Sequence, residues 1–74
     1  MVVIRARDQK RAKHYAEQKK LKHWRYLDTT ATLYGVRGIH LVTIEPYKSS
    51  VEQDRSISHI RTMGGIKTET IIHD

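Results

Sequence analysis

The strongest strand signal in this chain is the run Ile39-His40-Leu41-Val42-Thr43-Ile44. Aliphatic and β-branched side chains occupy both sets of alternating positions, so a strand formed here is apolar on both of its faces. Such a pattern is typical of a central strand that is covered on both sides, or of a strand whose second face meets a partner. Pro46 follows closely and ends the strand.

Upstream of this strand, the sequence predicts a strand, a helix and a second strand. The first strand is Val2-Val3-Ile4, and Asp8 then has the identity of a helix N-cap. From residue 9 to about residue 22 the chain has no Gly, Pro or β-branched residue, while Ala12 and Ala16 recur at helical spacing on one face. The run Trp24-Arg25-Tyr26-Leu27 alternates large aromatic side chains with other residues and predicts a strand. Because the apolar helix face is small, we expect the helix to lie close to the sheet.

Downstream, the sequence predicts a second helix and a last strand. Ser49 and Glu52 have the spacing of a capping box, and the helix of about residues 50–63 ends at Gly64-Gly65. A Thr-rich strand from Ile66 to Ile72 closes the chain, at an edge of the sheet. The order of elements is therefore β-α-β-β-α-β.

Two folds accommodate this order, both as an α+β or α/β two-layer sandwich. In a ferredoxin-like fold, residues 28–38 form a hairpin loop. In a small parallel four-stranded sheet, the same residues form a tight crossover. With either fold, Thr29 or Thr30 can cap a short helical turn that runs through Leu33 and closes at Gly35. The length of the connection favours the first fold, because parallel crossovers usually need a dozen residues or more. The apolar character of both faces of residues 39–44 favours the second.

The 74 residues predict a single small domain, 1–74, and a chain of this length buries roughly 60 to 65 % of its unfolded surface. There is no cysteine, which excludes a disulfide framework and favours a reducing, cytoplasmic location. No apolar run approaches the roughly 18 residues of a membrane span. The N-terminal apolar run is also too short for a signal peptide. Because so little surface is buried, formation of a homodimer is an expected source of further stability.

Positive charge is concentrated at the start of the chain. Nine of the 14 Lys and Arg residues fall between Arg5 and Arg25, against the two acids Asp8 and Glu17, while the whole chain carries +6. Cations that meet phosphates release condensed counterions, so this field suits a polyanion-binding surface. The alternative is a helix that these side chains merely keep solvated. The predicted nucleic-acid contacts are Arg5, Arg7, Lys10, Arg11, Lys13, Lys19, Lys20, Lys22, Arg25 and Arg37.

Aromatic side chains close to this charge predict a second kind of contact. Trp24, Tyr26 and Tyr34 lie near these basic residues in the sequence, and the bases of single strands stack on such rings. The alternative for Trp24 and Tyr26 is burial in the core, because a chain without Phe has few other large rings to bury.

No cluster of residues has the identity and spacing that catalysis or metal binding requires. The histidines show no HxH or HxxxH spacing, and no cysteine can join them. Carboxylates and hydroxyls are present, but none has a neighbouring base at a recognisable spacing. The run Gly35-Val36-Arg37-Gly38 precedes a strand and predicts a turn rather than a phosphate loop. We therefore expect no enzyme activity, no metal and no cofactor. The five histidines are His14, His23, His40, His59 and His73.

Two functions fit these observations. The first is a small basic domain that binds nucleic acid, DNA or RNA, through its first helix. The alternative is a protein-interaction module, such as a regulator or inhibitor from a phage or mobile element that docks on a larger host enzyme. Exposure of Ile39, Leu41 and Thr43 in the monomer distinguishes the two, because an apolar patch there favours a protein partner or a homodimer.

Overall fold

The computed structural model describes residues 1–27, 37–47 and 50–73. The elements follow in the order β1 (Val2–Arg5), α1 (Gln9–Gln18), β2 (Trp24–Tyr26), β3 (Ile39–Glu45), α2 (Val51–Thr62) and β4 (Ile66–His73). The predicted order of strands and helices is confirmed, although α1 ends four residues earlier than predicted. The helical turn predicted over residues 29–35 lies outside the described residues.

All four strands are parallel, in the order β2-β1-β3-β4. The predicted α/β fold is confirmed in its form with a small parallel four-stranded sheet, and the ferredoxin-like alternative is wrong. The physical reason is that β2 and β3 pair with opposite sides of β1. They are therefore not neighbours and cannot form a hairpin, and because both run parallel to β1, the end of β2 and the start of β3 lie at opposite ends of the sheet. The apolar pattern of β3 predicts the topology better than the length of the connection does.

The two helices cover opposite faces of the sheet. Successive strand residues point to opposite faces. Val3 and Leu41 belong to a buried cluster with Ile57 of α2, whereas Ile4 belongs to a second buried cluster with Ala12 of α1. Each helix therefore packs on its own face of the sheet and forms one helix-on-sheet layer pair with it. The clusters are named below as the α2-side and α1-side clusters.

The third strand is central and is covered on both sides. Ile39, Leu41 and Thr43 have exposed fractions of 0, 2 and 4 %. The apolar patch that would favour a protein partner or a homodimer is therefore not exposed on β3. Of the four strands described, β4 is an outermost strand of the sheet, and its residues 67–71 are exposed.

The direction of the strands places both helix starts at one edge of the sheet. Because the strands are parallel, β1 and β3 end at the same edge, which is named the carboxyl edge, and the opposite edge is the amino edge. Asp8 is the N-cap of α1, and Ser50 is the N-cap of α2, where its hydroxyl accepts a hydrogen bond from the Gln53 N–H at 3.1 Å. The prediction of Ser49 as this cap is wrong by one residue. None of the helices described is long and apolar enough to cross a membrane.

Candidate nucleic-acid interface

The first helix begins at the carboxyl edge and presents basic side chains around its first turns. The Asp8 carboxylate caps it by accepting a hydrogen bond from the Arg11 N–H at 2.7 Å. His14 and Gln18 continue along the helix from these turns and line one shallow groove with them. Three of the four basic side chains here are exposed, and Arg11 is half-buried. They are named the N-terminal basic group and are Arg7, Lys10, Arg11 and Lys13.

The charge pattern of α1 is the reverse of the pattern of α2 at the helix N-terminus. A helix N-terminus carries about half a positive charge, so acids stabilise it and cations destabilise it. The second helix follows this rule, with Glu52 and Asp54 in its first turn and His59 and Arg61 in its last. The first helix has no acid in its first turn, where Lys10 lies instead. Its N-terminus therefore keeps a positive potential, which the carboxylate of the N-cap Asp8 partly offsets.

The C-terminal end of α1 contains a lysine in a conformation that favours glycine. Lys20 has φ 55°, in the left-handed region. Its N–H donates to the Glu17 carbonyl at 3.2 Å, and the Leu21 N–H donates to the Ala16 carbonyl at 2.9 Å. These bonds form a Schellman motif, and glycine is the usual residue at the position of Lys20. The second helix ends with the same motif and has Gly64 there, with φ 76°.

Exposed lysines surround this end of the helix, at the amino edge of the sheet. Lys19 caps α1, and its Nζ lies 6.0 Å from the centroid of the Tyr15 ring. Arg37 is also exposed and lies at the amino edge, two residues before β3. The lysines are named the C-terminal basic group and are Lys19, Lys20 and Lys22.

Two of the predicted contacts lie on the face of α2, away from α1. Arg25 has this position through its register with β1. Arg5 donates to the Thr43 hydroxyl from two guanidinium nitrogens, at 3.1 and 3.3 Å, and lies 3.6 Å from the Asp54 carboxylate. Its guanidinium also lies 4.2 Å from the centroid of the Tyr47 ring, and its side chain is only 12 % exposed. Arg5 therefore links β1, β3 and the start of α2.

The predicted stacking rings are packed against the protein. Trp24 and Tyr26 are half-buried and contact the α1-side cluster, and the Tyr26 hydroxyl donates to the Ala6 carbonyl at 3.5 Å. This arrangement agrees with the alternative that Trp24 and Tyr26 pack in the core. Their stacking on nucleic-acid bases stays a prediction. Tyr34 lies outside the described residues.

Sequence reasoning missed three residues around these groups. His14 and Gln18 follow Arg7 and Arg11 at helical spacing, so the sequence did contain a signal for the groove. Tyr47 has no such signal, because its contact with Arg5 depends on the path of the chain after β3.

Elsewhere, ionisable side chains pair between α2 and β4. Arg61 donates to both carboxylate oxygens of Glu69, at 2.8 and 2.6 Å. These hydrogen bonds lower the pKa of Glu69 and raise the pKa of Arg61. His73 Nδ1 lies 2.9 Å from a carboxylate oxygen of Glu45. Within the part of the chain that the structure describes, no three His, Cys, Asp or Glu residues are grouped so that they could hold a metal ion.

Comparison of this chain with protein-family models, with curated proteins and with solved structures finds no match in any of the three.

Proposed function

We propose that the protein binds nucleic acid through α1 and its flanks, without catalysing a reaction. Phosphate contacts supply most of the binding free energy, so the affinity falls steeply with salt. The binding surface consists of the N-terminal and C-terminal basic groups. Arg37 lies at the same edge as the second group and extends it.

The observation that carries this proposal is the contrast between the two helices of the same chain. Each unfavourable charge near a helix N-terminus costs about 0.3–1 kcal/mol. A non-glycine residue in the left-handed region costs roughly 1–2 kcal/mol. The second helix avoids both costs, with Glu52 and Asp54 at its start and Gly64 at its end. The first helix has Lys10 and Lys20 at the corresponding places. In a domain of this size such costs are a sizeable part of the net stability, and an anionic ligand at α1 explains them.

A helix N-terminus with adjacent cations is also chemically suited to phosphate. Backbone N–H groups and the helix dipole favour an anion there, and Lys and Arg side chains add charge-assisted hydrogen bonds. Arg7 and Lys10 are exposed on the groove at this end of α1. A phosphate in the groove meets these side-chain cations beside the helix N-terminus, next to the Asp8 carboxylate that caps it.

The protein-interaction alternative has no comparable support in the described residues. Its distinguishing feature was an exposed apolar face on β3, and this face is buried against α2. If the protein does not bind nucleic acid, an acidic protein becomes the favoured partner.

The test is fluorescence anisotropy with labelled DNA and RNA at 50 to 200 mM salt, on two variants of equal charge. Arg7→Glu/Lys10→Glu reverses charge on the groove, and Arg55→Glu/Lys67→Glu makes the same change at exposed positions of α2 and β4. The first variant places acids near the start of α1, where they stabilise the helix, so unfolding would not explain a loss of binding.

We expect the groove variant to weaken binding by roughly 10- to 100-fold at the lower salt concentration and to reduce the salt slope by about 2. We expect the control variant to bind within about threefold of the wild type, because the Debye length of about 10 Å at 0.1 M salt is short beside the 30 Å length of the molecule. Equal binding by the groove variant and the wild type would refute the proposal.

A further inference from the structure

The two basic groups lie at opposite ends of α1. Lys10 and Lys20 are ten residues apart in the sequence. The ten residues of α1 (Gln9–Gln18) span about 15 Å along the helix axis, and Lys20 lies just beyond its C-cap. Glu17 lies between them and is exposed. The surface therefore has two positive regions, one at each edge of the sheet, and is not a continuous charged stripe.

The rings near these groups are not arranged as a stacking platform. Proteins that bind single strands without sequence preference usually stack the bases on exposed aromatic rings. Trp24 and Tyr26 are half-buried in the α1-side cluster, where Tyr15 also packs. Tyr47 lies under the Arg5 guanidinium. In the described ranges, each Trp and Tyr ring is thus at least partly covered by the protein.

We propose that the nucleic acid is duplex DNA, and that α1 lies across a groove with each basic group on the phosphates of a different strand. This inference rests on the proposed function. The major groove of B-form DNA is about 12 Å wide and the minor groove about 6 Å. Groups about 15 Å apart on a helix match the phosphates that border the wider groove. Duplex RNA fits less well, because the major groove of its A-form helix is deep and narrow.

The position of α1 on the sheet is compatible with this placement. Its buried face contains Ala12 and Ala16, and the opposite side of the helix faces solvent. Of the two helices described, α2 lies on the other face of the sheet, so it does not shield α1 from a duplex. Among the described residues, α1 is the helix on this face of the sheet, so it can approach a groove without movement of α2.

The test compares one labelled 20-base-pair DNA duplex with each of its strands alone and with the RNA duplex of the same sequence. We expect the wild-type protein to bind the DNA duplex at least about tenfold more tightly than the other three ligands at 100 mM salt. Equal or tighter binding of a single strand or of the RNA duplex would overturn this inference and leave nucleic-acid binding intact. Binding to none of the four ligands would reject the proposed function as well.

Two variants test whether both groups bind the duplex at once. Arg7→Gln/Lys10→Gln neutralises two cations of the N-terminal group, and Lys19→Gln/Lys22→Gln neutralises two of the C-terminal group. If each group meets a different strand, each variant lowers the salt slope on duplex DNA by about 1.8, and the combined variant lowers it by about twice that amount. A slope that is unchanged in either variant would show that only one group contacts DNA, contrary to the proposal.

Discussion

Replacement of Lys20 by glycine is expected to stabilise the protein and weaken its binding. Lys20 has φ 55° at the end of α1, where a side chain is strained by roughly 1–2 kcal/mol relative to the right-handed region. Glycine removes this strain but adds flexibility to the unfolded chain, which offsets up to about 1 kcal/mol. We therefore expect Lys20→Gly to raise the free energy of unfolding by about 0.5–1 kcal/mol. The corresponding rise in Tm is about 2–8 °C for a domain of this size.

The assay is urea unfolding followed by circular dichroism, with two reference variants. Lys20→Ala removes the same amine but keeps a Cβ in the left-handed conformation, so its stability should stay close to that of the wild type. Gly64→Ala makes the opposite change at the end of α2. A Cβ built on Gly64 meets no atom within 4 Å, so only its φ of 76° opposes the substitution. We expect a loss of about 1 kcal/mol there.

Binding separates the role of the Lys20 amine from the role of its backbone. Because Lys20→Gly and Lys20→Ala both remove the charge, both should weaken duplex binding to the same extent, by about three- to tenfold at 50 mM salt. If Lys20→Gly is no more stable than Lys20→Ala, the strain assigned to this position is wrong. If both variants bind as the wild type does, the strained lysine has no function in binding.

Two further predictions concern pairs on the α2 face of the sheet. Arg5→Ala should lower the free energy of unfolding by about 1–3 kcal/mol, since it leaves the buried Thr43 hydroxyl without its donor. Arg5→Lys should recover less than half of this loss in urea unfolding. Full recovery by Arg5→Lys would contradict the role of the contact made by two guanidinium nitrogens. Hydrogen bonds from Arg61 lower the pKa of Glu69. At pH values above the ordinary pKa of Glu, this exposed pair should therefore add less than about 1 kcal/mol to the free energy of unfolding. The contribution is lost as the pH falls through the lowered pKa of the folded state. The difference in stability between the wild type and Glu69→Gln should therefore be present at pH 7 and shrink as the pH is lowered into the acid range, and a difference that does not change with pH would count against the ion pair.

Much of the fold follows from local patterns in the sequence. The two-faced apolar character of residues 39–44 predicts a covered central strand, and Ala12 and Ala16 predict the narrow buried face of α1. The choice between a parallel sheet and a ferredoxin-like sheet depends on which strands pair. Pairing is set by the packing of two helices on opposite faces, which no single segment encodes.

The candidate site is less accessible to sequence reasoning than the fold. Charge alone groups Arg5 with Arg7 and Lys10, yet in the sheet Arg5 points to the face of α2 and bonds Thr43. This position follows from strand alternation only once the parallel pairing of β1 with β3 is known. The strained conformation of Lys20 is hidden for a different reason. A glycine predicts a left-handed helix end, as Gly64 does, whereas a lysine does not.

The comparison of the two helices also separates a binding surface from a merely solvated one. Cations that only keep a helix soluble serve equally well at any exposed position, and selection for stability would move them away from the N-terminal turn and out of left-handed backbone. Lys19 at the C-terminal end is at a favourable place, because the helix dipole attracts cations there. Lys10 is at an unfavourable place, because the positive end of the helix dipole repels a cation there. Lys20 is also at an unfavourable place, because its φ lies in the left-handed region. A solubility role does not explain why these two residues are lysines, whereas a ligand with phosphates near both ends of α1 does.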